Sequence, residues 1–178
     1  MVNYTKVTIS GQICTGKTTL FKALGKTLGW QTFSTGQFFR DYAAKHDLDI
    51  ESAEEQNEEV TKKIDNQVRE LLKTKDNIIV EGWLAGIMAH SIPKVLKVLL
   101  ICQNSVRAKR FSNREEIVIK EAKDRVKERD TSWLEEINKI YQRTDVFESS
   151  HYDLVIDTSV LTPTQVLNKV LGCLNQNV

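Results

Sequence analysis

Residues 11–18 read GQICTGKT, a spacing in which two glycines, a lysine and a threonine can hold phosphate groups. Gly11 and Gly16 permit backbone angles that turn successive N–H groups inward around phosphate oxygens. Lys17 supplies a mobile positive charge for the β- and γ-phosphates, and the Thr18 hydroxyl is suited to ligate Mg²⁺. A helix starting here adds its N-terminal dipole and free amides. The pattern predicts a site for ATP or another nucleoside triphosphate, and its alternative is an ordinary glycine-rich turn.

The loop is expected to contact the triphosphate mainly through backbone amides. The predicted nucleotide-binding residues are Gly11, Gln12, Ile13, Cys14, Thr15, Gly16, Lys17, Thr18 and Thr19. Cys14 could also be a reactive thiol near a helix N-terminus. The favoured interpretation is that it is a small residue offering its backbone.

Loops of this kind serve GTPases, motor ATPases and small kinases, so other motifs must decide the class. The sequence contains neither an NKxD guanine-reading motif nor a D-x-x-G switch after a strand. Motor ATPases need a larger core and an arginine from a neighbouring subunit, whereas this chain has a dense set of its own arginines. These are Arg107, Arg110, Arg114, Arg125 and Arg129.

Phosphoryl transfer needs cations around the reacting oxygens, and a closing lid also excludes water that would hydrolyse the donor. Arg110 and Arg114 share one helical face, and Arg125 and Arg129 are spaced i, i+4 on the next helix. We therefore expect these four side chains to act in catalysis, as part of a lid over residues 107–130. The alternative is a solvated charged face, because acidic residues are interleaved with the arginines.

The acceptor side is indicated by STGQFFRDYA at residues 34–43, which follows a predicted strand and begins a helix. Arg40 would lie one or two turns inside this helix, where it can clamp an acceptor phosphate with two hydrogen bonds. Its alternative is a surface arginine. The segment from Asp47 to Glu59 contains seven acids and no bases, which is more typical of the solvated face of a mobile helical subdomain than of a metal site.

The elements that must position these groups alternate along the chain. Strands are predicted at residues 6–10, 31–34, 78–82, 97–102 and 152–158. Their consecutive apolar residues suit a parallel sheet covered on both faces. Amphipathic helices lie between them, with apolar stripes from Val60 to Leu72 and from Val166 to Leu174. This alternation predicts a three-layer α/β fold.

The bulk properties indicate one small domain. Its 178 residues can bury a single substantial core, and a formal net charge of +1 gives no bias toward nucleic acid or an acidic membrane. Cys14, Cys102 and Cys173 have no metal-site spacing. With no recognisable signal peptide and no long apolar span, we expect a cytoplasmic monomer without structural disulfides.

Further stretches add to the loop in a fixed order and spacing. They are IIVEGWLAG at 78–86, VRAKRFSNRE at 106–115, KIYQRTD at 139–145 and YDLVIDTSVLTPTQVL at 152–167. Together they give a chain that resembles the nucleoside monophosphate (NMP) kinases, and most closely the short cytidylate kinases of archaeal type. The resemblance runs nearly end to end. It implies one P-loop kinase domain with five parallel strands in the order 2-3-1-4-5, a helical NMP-binding insertion at about residues 36–70 and a short lid.

The resemblance also implies roles for single residues. Thr35 and Arg40 would contact the acceptor nucleotide, and Asp65 would lie near its base or ribose. Glu81, at the carboxyl end of the third strand, would be the acid of the Mg²⁺ or acceptor site, a position that agrees with ligand binding beyond the ends of parallel strands. Taken alone, Glu81 could be an acid that opens a loop, and Asp65 a surface carboxylate.

The chain departs from the family pattern in two places. Trp83 stands where the pattern EGRLAG has an arginine that grips the acceptor, and a tryptophan can instead stack on a base or fill a pocket. Glu136 and Ile137 replace an Arg-Tyr pair before KIY, with Arg143 as a candidate substitute. These changes leave the ATP half intact and leave the acceptor open.

The remaining histidines and tryptophans suggest no chemistry. His46, His90 and His151 lack a histidine or carboxylate partner at a useful spacing, so we expect surface or packing roles. Trp30 and Trp133 are expected in the core, on helical stretches.

The sequence thus predicts an enzyme that moves the γ-phosphoryl group of ATP·Mg²⁺ to a small phosphorylated acceptor, with CMP or dCMP as the first candidate. Trp83 points to an alternative, a kinase for another NMP or a non-nucleotide metabolite. The contrasting class is an ATP-binding regulatory protein without efficient transfer. No nucleic-acid or membrane partner is expected.

Overall fold

A parallel sheet forms the centre of the computed structural model, which describes residues 3–47 and 58–175. Its strands are β1 (Lys6–Ser10), β2 (Gln31–Ser34), β3 (Ile78–Glu81), β4 (Val95–Ile101) and β5 (Leu154–Asp157). Every neighbouring pair is parallel, and the order β2-β3-β1-β4-β5 confirms the prediction.

Helices cover both faces of this sheet. They are α1 (Lys17–Leu28), α2 (Thr35–His46), α3 (Glu58–Thr74), α4 (Ala85–Met88), α5 (Asn104–Glu115), α6 (Ile119–Tyr141) and α7 (Pro163–Asn175). Successive side chains of a strand point to opposite faces. On β3, Ile79 packs in the cluster that contains residues of α1 and α7, whereas Ile78 and Val80 pack in the cluster with α3, α4 and α6. The three-layer α/β fold is therefore confirmed.

The ends of three strands differ from the prediction by one or two residues. β3 and β4 each end one residue earlier than predicted, β4 begins at Val95 rather than at residue 97, and β5 is confined to Leu154–Asp157. Residues beside a strand can keep a ladder hydrogen bond without its geometry, as when the Thr158 N–H donates to the Ile101 carbonyl at 2.9 Å. The pattern of apolar residues alone does not distinguish a residue with strand geometry from a neighbour that keeps only such a hydrogen bond.

The placement of Trp30 on a helix was wrong. Helix α1 ends at Leu28 because Gly29 takes a left-handed conformation, with φ at 66°, that closes the helix C-terminus. Trp30 lies between α1 and β2 and packs, partly buried, against the core cluster on the α1 side of the sheet. Residues 48–57, which make up most of the acidic segment from Asp47 to Glu59, lie outside the described residues.

The carboxyl ends of the strands gather the polar groups. The loop of residues 11–16 follows β1, Ser34 ends β2, Glu81 ends β3 and Thr158 follows β5. Helix α2 begins directly after Ser34, whose hydroxyl accepts a hydrogen bond from the Gln37 N–H at 3.2 Å. The fold thus brings four separate parts of the chain to one edge.

A buried arginine ties this edge to the long helices. The Arg107 side chain, 1% exposed, donates from Nε to the Ile13 carbonyl at 2.8 Å. Its Nη2 donates to both carboxylate oxygens of Asp130 on α6, each at 2.7 Å. Although Arg107 falls within the predicted lid region, it is an internal connector that holds the loop, α5 and α6 together.

We expect Arg107→Met to lower the free energy of unfolding by about 3–5 kcal/mol, because it removes the guanidinium that the structure shows hydrogen-bonded to both oxygens of the partly buried Asp130 carboxylate, which then keeps the neutral Gln12 amide as a donor. Urea unfolding followed by circular dichroism measures this change. The matched control is Arg125→Met, which breaks the exposed i, i+4 pair with Glu121 on α6 and should cost about 0.3–0.5 kcal/mol. Equal effects of the two substitutions would contradict the connecting role of Arg107.

Candidate active site

The loop between β1 and α1 has the backbone that its glycines predict. Gly11, Cys14 and Gly16 all have positive φ, at 148°, 60° and 96°. A Cβ atom at Gly11 would collide with the Leu100 carbonyl and the Thr15 hydroxyl, so only glycine fits there. Alternation of left- and right-handed residues is the geometry in which successive amides form an anion-binding concavity.

Lys17 lies at the mouth of this loop. Its ammonium donates to the Gln12 carbonyl at 2.9 Å and lies 5.4 Å from the centre of the Trp83 ring. The side chain is only 9% exposed. A cation held here can reach an anion in the loop with little reorganisation.

Glu81 forms an oxygen-rich group beside the loop. It is 5% exposed, and its two carboxylate oxygens accept hydrogen bonds from the Thr18 hydroxyl at 3.2 Å and the Ser34 hydroxyl at 2.8 Å. Mg²⁺ prefers such hard oxygen ligands and keeps several waters, so one or two protein groups suffice. Within residues 3–47 and 58–175, no cluster of three or more His, Cys, Asp or Glu side chains could hold a metal. The hydroxyl of Thr18 beside the carboxylate of Glu81 has the chemistry that suits Mg²⁺.

A cleft of about 790 Å³ joins these groups. Its size suits a nucleotide, since small-molecule sites typically occupy about 300–1,000 Å³. The site residues that line it are residues 13–19 of the loop and α1 together with Thr35, Arg40, Glu81, Trp83, Arg110, Arg114 and Arg129. Gly11 and Gln12 lie behind this lining, where they shape the loop.

The four arginines predicted to be catalytic have different surroundings. Arg110 donates to the Cys14 carbonyl at 3.1 Å and to the Thr158 carbonyl at 2.7 Å, which fixes its guanidinium at the edge of the cleft. Arg114 and Arg129 also line the cleft. Arg125 pairs with Glu121 at 2.7 Å and does not line the cleft.

The residues assigned to the acceptor lie between the cleft and a smaller cavity. Thr35 lines both, and Arg40 lines the cleft while its Nη2 donates to the Gln37 side chain at 2.9 Å. Asp65 lines the smaller cavity and is 8% exposed, so it is not the surface carboxylate of the alternative interpretation. Burial raises the pKa of Asp65 to about 6, against the lowering effect of the Tyr141 hydroxyl, which donates to it at 2.6 Å.

Trp83 belongs to an aromatic stack. Its ring lies 4.2 Å from that of Trp133, and both approach Phe147 at about 6 Å. Trp133 packs against the core as predicted, but it also lines the smaller cavity, which the sequence interpretation missed. The available signal was its position four residues after Arg129, on the same face of α6.

Arg143 lines neither cavity and pairs instead with Asp145 at 2.8 Å. His151 is also bonded to Asp145, at 2.8 Å, so the expectation that it lacks a carboxylate partner was wrong. Six residues separate the two in sequence, and the turn before β5 brings them together. Arg143 and His151 hold the pKa of Asp145 far below its usual range.

The three cysteines are free thiols. Burial raises the pKa of Cys14, although Arg114 and Lys17 nearby act in the opposite direction. A thiol with a raised pKa is a poor nucleophile at neutral pH. This agrees with a loop residue that contributes its backbone.

No helix in the described part of the chain has the length and apolar character required to cross a bilayer.

Known solved structures share the fold. An uncharacterized protein from Eubacterium ventriosum superimposes with a TM-score of 0.72 at 15% identity, covering 96% of this chain and 98% of that one. Shikimate kinase from Acinetobacter baumannii gives a TM-score of 0.63 at 14% identity, covering 98% of this chain and 94% of its own. At these identities the comparison establishes the architecture of P-loop kinases and nothing finer.

Sequence relatives are closer. The cytidylate kinase of Thermoplasma volcanium is 35% identical over 176 residues, covering 96% of this chain and 92% of that protein. The cytidylate kinase of Sulfolobus acidocaldarius is 34% identical over 174 residues, covering 96% and 94%. The model of the cytidylate kinase-like family matches residues 6–160. The chain is therefore a phosphotransferase and belongs to the cytidylate kinase-like family.

Proposed function

We propose that this enzyme transfers the γ-phosphoryl group of ATP·Mg²⁺ to the phosphate of CMP or dCMP. The observation that carries the proposal is the meeting, in one cleft, of a phosphate-binding loop with its lysine and an oxygen pair suited to Mg²⁺, next to a cavity containing Asp65. The acceptor follows from the relatives, which are named cytidylate kinases.

The donor half uses residues 11–19. The loop amides would hold the triphosphate, and Lys17 would leave the Gln12 carbonyl to reach the β- and γ-phosphates. Thr18 and Glu81 would hold Mg²⁺, which neutralises charge on the phosphate oxygens. Each of these groups is already at the cleft, so little reorganisation is needed when ATP binds.

The lid half would be residues 107–130. Arg110, Arg114 and Arg129, which line the cleft, would stabilise charge on the transferred phosphoryl group. Arg125 would join them only if the Glu121 pair opened on closure. This exposed pair is worth at most about 1 kcal/mol, so a bound phosphate could replace it.

The acceptor half would be the insertion of residues 36–70. Thr35, directly before it, would also contact the acceptor. Arg40 is exposed, and its hydrogen bonds within the described residues go to the neutral Gln37 side chain in its own helix, so an acceptor phosphate could recruit it with a stronger, charge-assisted pair. Asp65 would face the base or ribose. Trp83, in place of a cation, favours a second candidate: a kinase of this family with a different small acceptor.

ADP release measured with ATP·Mg²⁺ and a panel of CMP, dCMP, UMP, AMP, GMP and dTMP tests the proposal. We expect CMP or dCMP to stimulate release most strongly. Lys17→Met should lower kcat/KM by about a thousandfold, since it removes the cation that follows the transferring group. The matched control is Lys22→Met, an exposed lysine on the same helix. Stimulation by no nucleotide, or full activity of Lys17→Met, would refute the assignment.

Trp83→Arg tests whether the departure at this position weakens the grip on the acceptor. We expect KM for CMP to fall by about tenfold, because the substitution adds a charge-assisted hydrogen bond to phosphate. Trp83→Leu is the control, since it removes the ring without adding a cation. If both substitutions lower CMP turnover equally, the aromatic ring is itself needed, and the different acceptor is favoured.

The pH dependence of acceptor binding tests Asp65. Its pKa is raised to about 6, so the carboxylate is ionised above that pH and gains a proton below it. We expect the advantage of the wild type over Asp65→Asn in KM for CMP to shrink as the pH falls from about 7.5 to 5.5. Titration of the substrate phosphates affects both proteins and cancels in this ratio. A constant ratio across the range would contradict contact between the Asp65 carboxylate and the acceptor.

A further inference from the structure

A second cavity of about 40 Å³ lies beside the main cleft. Thr35, Gly36 and Trp83 line both spaces, so the cavity adjoins the acceptor side of the cleft. Its walls are apolar and largely aromatic, and they are formed by Phe39, Trp83, Leu84, Trp133 and Ile137. Two polar side chains of α3, Thr61 and Asp65, complete the lining.

Thr61 was not among the residues that the sequence singled out. Its hydroxyl oxygen is shielded from solvent, yet it has no hydrogen-bond partner among residues 3–47 and 58–175. A buried hydroxyl without a partner is costly, so it marks a position that a ligand atom could satisfy. Thr61 and Asp65 are four residues apart on one helix and therefore share a face.

The two polar groups differ in what they can bond. The Asp65 carboxylate accepts one hydrogen bond from the Tyr141 hydroxyl at 2.6 Å and has lone pairs for a further N–H donor. The Thr61 hydroxyl can donate to an acceptor beside that N–H. A donor next to an acceptor on a flat ring is the pattern of an aminopyrimidine edge, and aromatic walls suit the ring itself.

We propose that Thr61, together with Asp65, hydrogen-bonds the polar edge of the acceptor's base, and that Thr61 is a specificity-determining residue. The inference rests on the proposed function, because it requires an NMP acceptor. The cavity holds only the edge of a base, so the rest of the ring lies toward Trp83 and the main cleft. A site built to hydrogen-bond one edge discriminates against bases that present a different order of donors and acceptors.

Thr61→Val tests this proposal, since it keeps the side-chain shape and removes the hydroxyl. We expect KM for CMP to rise by about tenfold, with KM for ATP unchanged and the preference for CMP over UMP reduced. Thr61→Ser, which retains the hydroxyl, should stay within about twofold of the wild type. Thr8→Val is the matched control, because the Thr8 hydroxyl on β1 is also buried without a partner in the described residues but lines neither cavity.

Two results would overturn the inference. An unchanged KM for CMP in Thr61→Val, accompanied by a higher melting temperature, would mean that the hydroxyl is only an unsatisfied structural group. Equal losses for ATP and CMP would mean general distortion of the site. If Thr61→Val does not fold, Thr61→Ala provides the same comparison. If no nucleotide stimulates ADP release by the wild type, the proposed function itself is refuted. That result is distinct from normal CMP turnover by the wild type together with an unchanged KM for CMP in Thr61→Val.

Discussion

All five strands of the sheet run in the same direction, so their carboxyl ends meet at one edge, and every group of the candidate site depends on that constraint. The loop that follows β1 lies between the ends of β3 and β4, the strands that flank β1. Glu81 consequently lies within hydrogen-bonding distance of Thr18, although 63 residues separate them in sequence. An antiparallel arrangement would send half of these strand ends to the opposite edge.

Four charged side chains in and around the site are buried, and each is held by specific partners. Lys17, Glu81, Asp65 and Arg107 are all less than 10% exposed. Glu81 is fixed by two hydroxyls and Arg107 by a carboxylate and a carbonyl. Groups oriented before the substrate arrives need little reorganisation in the transition state, which is the main way a protein accelerates phosphoryl transfer. The Arg107–Asp130 pair joins the loop to α6 and so helps to hold these groups in place.

The sequence predicted the structure best where a residue type at a given spacing has a single structural role. The glycine, lysine and threonine spacing identified the loop, and consecutive apolar residues identified five strands, three of them with an end misplaced by one or two residues. Trp30 was misplaced because the left-handed Gly29 ends the helix before it. The strand order and most of the acceptor residues came from the resemblance, whereas Arg40 was also indicated by its position near a predicted helix start.

Contacts between distant segments could not be read from the sequence. Arg107 has the same local spacing as the arginines of the cleft, but its burial and its carboxylate partner Asp130 on α6 give it a different role. His151 and Asp145 meet only because the chain turns before β5. Thr61 has no distinctive neighbours in sequence, and only the walls of the cavity around it draw attention to its hydroxyl.

The most direct test of the account follows the phosphoryl group itself. ATP labelled at the γ-phosphate is incubated with Mg²⁺, CMP and the enzyme, and the products are separated. The account predicts that the label appears in CDP in an amount equal to the ADP formed, since the proposed lid and the cleft would direct transfer to the acceptor and exclude water. Label found in inorganic phosphate would contradict the account. So would ADP that forms at the same rate without CMP.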